Sequence, residues 1–163
     1  MAKTERPLVL FVCQGNICRS PIATALAADA AQRVGLDIEV ASAGTSALIG
    51  DPAEPGALAC VAELGLDIGA HRARQVTPEM IEGAIFVVAA TAAQRDWLQR
   101  LLPERRDRIA SFGDITSLGD IPDPWGRNSS EYRRVRALIE EGMPALMAAV
   151  RERDSAAKGA PSH

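Results

Sequence analysis

Pro7-Leu8-Val9-Leu10-Phe11-Val12-Cys13-Gln14-Gly15-Asn16-Ile17-Cys18-Arg19-Ser20-Pro21 is the stretch of this 163-residue chain whose reading decides its fold. The run from Pro7 to Val12 is apolar and short, which fits a strand buried on both faces of a parallel sheet better than a helix. Gly15 and Asn16 end it. Ser20-Pro21 then opens a helical pattern in which Ile22, Leu26, Ala30 and Val34 recur every fourth residue and Gly35 is the stop. Further out, Ile38-Glu39-Val40-Ala41 reads as a second strand, Gly44 to Pro55 as a loop, and Leu58 to Leu64 as a helix closed by Gly65. Ile85 to Val88 reads as a third strand, Thr91 to Leu102 as a helix ended by Pro103, and Ile109 to Phe112 as a fourth strand. Gly113 to Arg127 reads as a long loop. Val135, Leu138 and Ile139 mark a last helix, which Gly142 and Pro144 are expected to break or kink before Leu146, Met147 and Val150. The alternation predicts a single three-layer α/β domain over residues 1–153, with a parallel sheet between two layers of helices. Residues 154–163 are small and polar and read as a flexible tail. Ligands in such sheets bind beyond the carboxyl ends of the strands, which is where Cys13 stands.

Composition narrows the function classes. Apolar residues make up 47% and charged residues 24%, which is ordinary for a soluble globular protein and unlike a disordered one. A net charge of -3 argues against a nucleic-acid binder. No apolar run reaches the roughly 18 residues of a membrane span, and residues 8–12 lead into Cys-Gly-Asn rather than a signal cleavage site. The three cysteines, Cys13, Cys18 and Cys60, do not resemble a disulfide framework, so a reducing cytoplasm is expected. Cys60 lies on the apolar stripe of a predicted helix and reads as core. His71 and His163 cannot form a metal cluster by themselves, and neither metal nor cofactor is expected.

The loop from Cys13 to Ser20 carries the chemistry. A loop joining strand to helix turns several backbone N–H groups inward. Gly15 and Asn16 are the residue types that best allow close approach or a positive φ. The helix starting near Ser20 adds its positive dipole end, so the loop suits a tetrahedral dianion. Arg19 supplies a planar, permanently charged fork for two phosphate oxygens. Cys13 sits in the same positive field, which favours the thiolate, the nucleophilic form of cysteine. A structural cysteine beside a glycine turn is the plainer reading of Cys13 alone. A cysteine and an arginine bracketing a Gly-Asn turn at a strand-to-helix junction speak against it. A nucleotide loop would need a Gly-Lys-Ser/Thr ending or a triple-glycine spacing, and neither is present.

Cysteine, five residues, arginine and Ser-Pro resemble the signature of the low-molecular-weight protein tyrosine phosphatases. The resemblance runs from about Leu8 to about Val150. It includes Ser42-Ala43-Gly44-Thr45, His71-Arg72-Ala73-Arg74-Gln75 and Asp120-Ile121-Pro122-Asp123-Pro124-Trp125-Gly126. It implies a flavodoxin-like, phosphotyrosine phosphatase I-like fold with a four-stranded parallel sheet. It implies that Cys13 is the nucleophile and that Arg19 clamps the phosphate with the amides of Gln14, Gly15, Asn16, Ile17, Cys18, Arg19 and Ser20. Asp123 matches the general acid and base. Ser20 matches a donor to the thiolate, while Asn16, Ser42 and His71 match a network that holds the loop. Ile17, Leu48 and Trp125 are the expected walls of the substrate cleft, Trp125 as a ring on which a substrate ring could stack. Cys18 matches a redox partner that shelters the nucleophile through a reversible disulfide. The implied substrate is a phosphorylated protein, foremost phosphotyrosine, and the implied enzyme is a metal-independent monomer or weak homodimer with no nucleic-acid or membrane partner.

Two departures bear on specificity. Many members carry an aromatic residue where Ser46-Ala47-Leu48-Ile49 stands here, so one cleft wall is expected to be aliphatic. Members usually have polar residues after the third strand. Here Ala89-Ala90-Thr91-Ala92-Ala93 replaces them, with alanine at both 90 and 93, so hydrogen bonding near the Asp-Pro loop is expected to be missing. The Asp-Pro-aromatic-Gly form also resembles the bacterial protein arginine phosphatases, although those carry threonine where Ile17 stands. Arsenate reduction would need a relay of further cysteines, and none follows Cys60. A non-catalytic phosphoprotein-binding module would have lost one of Cys13, Arg19 and Asp123.

Overall fold

Strand β1, Leu8–Cys13, lies inside the sheet of the computed structural model, which describes residues 6–159. The other strands are β2 (Glu39–Gly44), β3 (Ala84–Ala89) and β4 (Ile109–Ser111). All pairs are parallel, in the order β2-β1-β3-β4. Successive side chains of β1 enter two different cores. Val9, Phe11 and Cys13 belong to one, and Leu10 and Val12 to the other. Burial on both faces is why the run is apolar without alternation. Helices α1 (Arg19–Arg33), α2 (Pro55–Ala62), α5 (Phe112–Thr116) and α6 (Ser129–Gly159) cover the first face. Helices α3 (Pro78–Glu82) and α4 (Ala92–Leu101) cover the second. The chain leaves β1 for β2 on one side and later returns to β3 on the other. The switch point therefore falls at the carboxyl end of β1, where a doubly wound sheet opens its crevice.

Several expected boundaries are corrected. Strand β2 continues past Ala41 to Gly44, because Phe11, Val12 and Cys13 extend the ladder opposite Ser42, Ala43 and Gly44. Helix α2 begins at Pro55, whose missing N–H costs nothing at a first helical position, and ends at Ala62. Helix α3 was not expected; Thr77 starts it by accepting from the Met80 amide. Phe112 does not belong to β4. It opens α5, where Ser111 and Asp114 cap each other reciprocally, so the segment after Ser111 is not all loop.

The largest correction concerns α6, which runs unbroken for 31 residues with Pro144 inside it. Pro144 lies on the exposed side, where the lost backbone bond is open to water. Val135, Ile139, Met143, Leu146, Met147 and Val150 bury the other side and hold the helix through the defect. Gly142 serves contact rather than breakage, since a Cβ there would come 2.6 Å from Phe112 Cζ. Residues 154–159 are helical, not frayed. Asp154 is buried and paired with Lys158 at 3.0 Å. The rest of the expected tail, including His163, lies outside the described residues.

Glu63 ties α2 to α6 by ion pairs of 2.7 Å to both Arg133 and Arg136. Its hydrogen bonds to Arg133 and then Arg136 lower its pKa from 4.5 to about 2. A depressed carboxylate stabilises the fold above its unfolded value, so this contribution is full above pH 4.5 and is lost progressively as pH falls from there through about 2.

Candidate active site

Every carbonyl from Cys13 to Cys18 is taken from outside the loop. Thr45 N donates to Cys13 O (2.9 Å), Ser46 N to Gln14 O (3.0 Å), Leu48 N to Gly15 O (3.1 Å), Glu54 N to Ile17 O (2.9 Å) and Ile22 N to Cys18 O (3.1 Å). His71 Nε2 lies 2.6 Å from Asn16 O and, as the donor, completes the set. With its carbonyls turned outward, the loop presents its amides to the cavity it encloses. Among the described residues, none of the N–H groups of residues 14–18 is used by a backbone acceptor. This is an anion cradle built from peptide dipoles, capped by the N-terminus of α1.

Asn16, not Gly15, takes the left-handed conformation, with φ of 61°. Asparagine tolerates that region, and its side chain is then used fully. Nδ2 donates to Ser20 Oγ (2.8 Å) and Ser42 Oγ (2.9 Å), and Oδ1 accepts the Arg74 amide (2.9 Å). The expected supporting network of Asn16, Ser20, Ser42 and His71 is thus brought together in space. Gly44 backs the same loop. A Cβ there would stand 2.4 Å from Gln14 O and 3.1 Å from Asn16 Cβ. Gly44→Ala is therefore expected to push the cradle out of shape, destabilising the fold by about 1–3 kcal/mol. Turnover should fall by roughly 10- to 100-fold. Thermal melting with steady-state kinetics checks both.

Cys13 Sγ lies at the floor, 2.9 Å from Ser20 Oγ. Arg19 is buried; its Nη1 donates to Ile121 O (3.1 Å), and its Nη2 faces Asp123 Oδ2 at 3.8 Å. The other Asp123 oxygen accepts the Trp125 amide at 3.1 Å. Cys13, Gln14, Gly15, Ile17, Cys18, Arg19, Ser46, Leu48, Asp123 and Trp125 line one cavity of about 200 Å³. The expected nucleophile, clamp, acid and cleft walls, 112 residues apart at their extremes by sequence number (13 to 125), meet there. Leu48 and Trp125 are large apolar side chains left exposed at its edge. Cys18 Sγ is buried 3.5 Å from Tyr132 Oη, and burial pushes the Cys18 thiol up to about 12. Among the described residues, no group of three His, Cys, Asp or Glu is arranged to hold a metal ion. No helix there is long and apolar enough to cross a membrane.

The chain matches the family model for low molecular weight phosphotyrosine protein phosphatase over residues 8–156. It belongs to that family. It is 35% identical over 143 residues to "Probable low molecular weight protein-tyrosine-phosphatase EpsP" of Ralstonia solanacearum, spanning 88% of this chain and 95% of the relative. It is 38% identical over 134 residues to a protein-arginine-phosphatase of Geobacillus stearothermophilus, spanning 81% of this chain and 88% of the relative. The crystal structure of a low molecular weight protein tyrosine phosphatase from T. tengcongensis superposes with a TM-score of 0.84. It shares 33% identity over 88% of this chain and 99% of that one. The chain is thus an enzyme of this phosphatase class on a flavodoxin-like sheet.

Sequence reading missed several residues of this phosphatase site. Arg74 holds both Asn16, through its amide, and the Ser42 carbonyl, through Nε at 3.0 Å. Gln75 clips the loop after β2 by donating to Thr45 O (2.8 Å) and accepting from Ala47 N (3.0 Å). Tyr132 reaches the back of the cradle from α6. These contacts join segments distant in sequence, and only the Arg74-Gln75 stretch carried a signal, as part of the family resemblance. Ala90 and Ala93 give the acid loop no side-chain hydrogen bond, and the ties at this segment are made by its backbone instead. Backbone groups there bond the acid loop directly, Ala90 O accepting Ile121 N and Ala92 N donating to Asp120 Oδ1, both at 2.9 Å.

Proposed function

We propose that this phosphatase hydrolyses phosphotyrosine in proteins through a cysteinyl-phosphate intermediate, without metal or cofactor, in the cytoplasm. The phosphate dianion enters the amide cradle and takes Arg19 as its partner in place of Asp123. Ser20 donates to the Cys13 thiolate and keeps it in place. The sulfur attacks phosphorus in line, the S–P bond forms, and the P–O bond to the phenol breaks. Displaced from Arg19, the Asp123 carboxylate takes up a proton from solvent and gives that proton to the leaving oxygen. Asp123 then takes a proton from water as that water attacks phosphorus, releasing inorganic phosphate and the thiolate. The cradle amides and Arg19 stabilise the charge on the equatorial oxygens throughout.

The observation that carries the substrate reading is the cavity mouth. Leu48 and Ile17 flank Gly15, where a Cβ would lie 3.9 Å from Leu48 Cδ1 and 3.6 Å from Ile17 Cγ1, and Trp125 lines the same cavity. Apolar walls around a polar floor suit an aryl phosphate and leave a phosphoguanidinium only Gln14, Ser46 and Asp123 among the lining side chains as acceptors. The relative named as an arginine phosphatase supports the second reading, phosphoarginine on the same machinery. A panel of phosphotyrosine, phosphoserine and phosphoarginine peptides separates them: kcat/KM highest on phosphotyrosine supports the first reading, and highest on phosphoarginine replaces it.

Cys18 is proposed as a redox guard. Peroxide converts the Cys13 thiolate to a sulfenic acid. The Cys18 thiol then displaces water to form a disulfide, which an external thiol reduces. Cys18→Ser should leave much less activity recoverable by dithiothreitol after peroxide, with the wild type recovering almost fully. Equal recovery would remove Cys18 from that role.

A further inference from the structure

Asp120 stands three residues before Asp123 and outside the cavity. Its Oδ1 accepts the N–H of Ala92, the first residue of α4, at 2.9 Å. That amide is one of the donors a helix start leaves without an internal partner, and a carboxylate there also meets the positive end of the helix dipole. The next residue adds a second tie, Ile121 N to Ala90 O at 2.9 Å. Ala90 is itself bound through its N–H to Val12 O at 2.8 Å, beside Cys13. Ile121 O then accepts Arg19 Nη1 at 3.1 Å. Only Pro122, with its fixed φ, separates this double anchor from Asp123.

We propose that Asp120 is a positioning residue for proton transfer by Asp123. Clipped to the start of α4, it sets where the acid loop stands over the cradle. This rests on the reading of Asp123 as proton donor. Cradle and sulfur do not touch the clip, and Arg19 leans on Ile121, which keeps its own bond to Ala90, so loss of the clip acts chiefly on the proton-transfer step. The acceptor is a single oxygen, so an amide in place of the carboxylate keeps the bond and alanine does not.

The test follows formation of the intermediate in single turnovers on a phosphotyrosine peptide and on an aryl phosphate with an activated leaving group. Asp120→Ala is expected to slow the peptide reaction by about 5- to 30-fold and the activated substrate by less than about twofold. The affinity for inorganic phosphate stays the same. Asp120→Asn should stay within about threefold of wild type on both. In an Asp123→Asn background, Asp120→Ala should add nothing, because the step it serves is already gone. Equal losses on the two substrates, an asparagine variant as poor as alanine, or a full further loss in the Asp123→Asn background would overturn the proposal. If Asp123→Asn itself costs nothing on the peptide, the acid assignment fails and takes the proposal with it. A normal Asp123→Asn defect with an inert Asp120→Ala defeats the Asp120 proposal alone.

Discussion

Cys13→Ser is expected to lose turnover by about 10⁴-fold or more while still binding inorganic phosphate. The reason lies in how the work is divided. The cradle is made by peptide groups whose carbonyls are held by Thr45, Ser46, Leu48, His71, Glu54 and Ile22, and none of these contacts involves the Cys13 side chain. A serine hydroxyl fits the space of the thiol and can still face Ser20, but it is a far weaker nucleophile than a thiolate because it is hardly ionised at neutral pH. Binding and chemistry should therefore separate cleanly. Isothermal titration with phosphate measures the first, and single-turnover hydrolysis of a phosphotyrosine peptide measures the second. Turnover within tenfold of wild type would rule out the covalent route. Loss of phosphate binding together with turnover would mean that the sulfur also shapes the cradle.

Asp123→Asn is expected to slow phosphotyrosine hydrolysis by roughly 10²- to 10⁴-fold, and by much less for an activated aryl phosphate. Asparagine keeps the shape and can still accept the Trp125 amide, as Asp123 does at 3.1 Å. It cannot deliver a proton. A phenol leaving group, with a pKa near ~10, needs that proton, whereas a good leaving group departs without it. A plot of intermediate-formation rate against leaving-group pKa should thus be shallow in wild type and steep in the variant. Parallel lines would show that another group protonates the leaving oxygen. Asp120 is poorly placed to be that group, because its Oδ1 is engaged by the Ala92 amide and it does not line the cavity.

Much of this protein was legible in one dimension, for a physical reason. Continuous apolar runs at Leu8–Val12 and Ile85–Val88 mark strands buried on both faces, and the Gly-Asn turn followed by Ser-Pro marks the strand-to-helix junction where an anion can be held. Cys13, Arg19 and the Asp123 loop could be named because their residue types, order and spacing resemble a known signature. The long helix was misread because Gly142 and Pro144 are local breakers whose effect is overridden by distant partners. Phe112 and Thr116 need the glycine's narrowness, and the buried face of α6 outweighs one missing hydrogen bond.

The parts that sequence could not reach are contacts between segments that follow no local period. The carbonyls of residues 13, 14, 15 and 17 held by amides of residues 45–54, Tyr132 behind Cys18 and Asp120 on the start of α4 all depend on how β1, β2, β3 and α6 come together. Local chemistry determined which residues could react. Tertiary packing decided which way the loop's peptide dipoles point and where the acid loop is fastened, because backbone amides and carbonyls carry no residue-specific mark in the sequence.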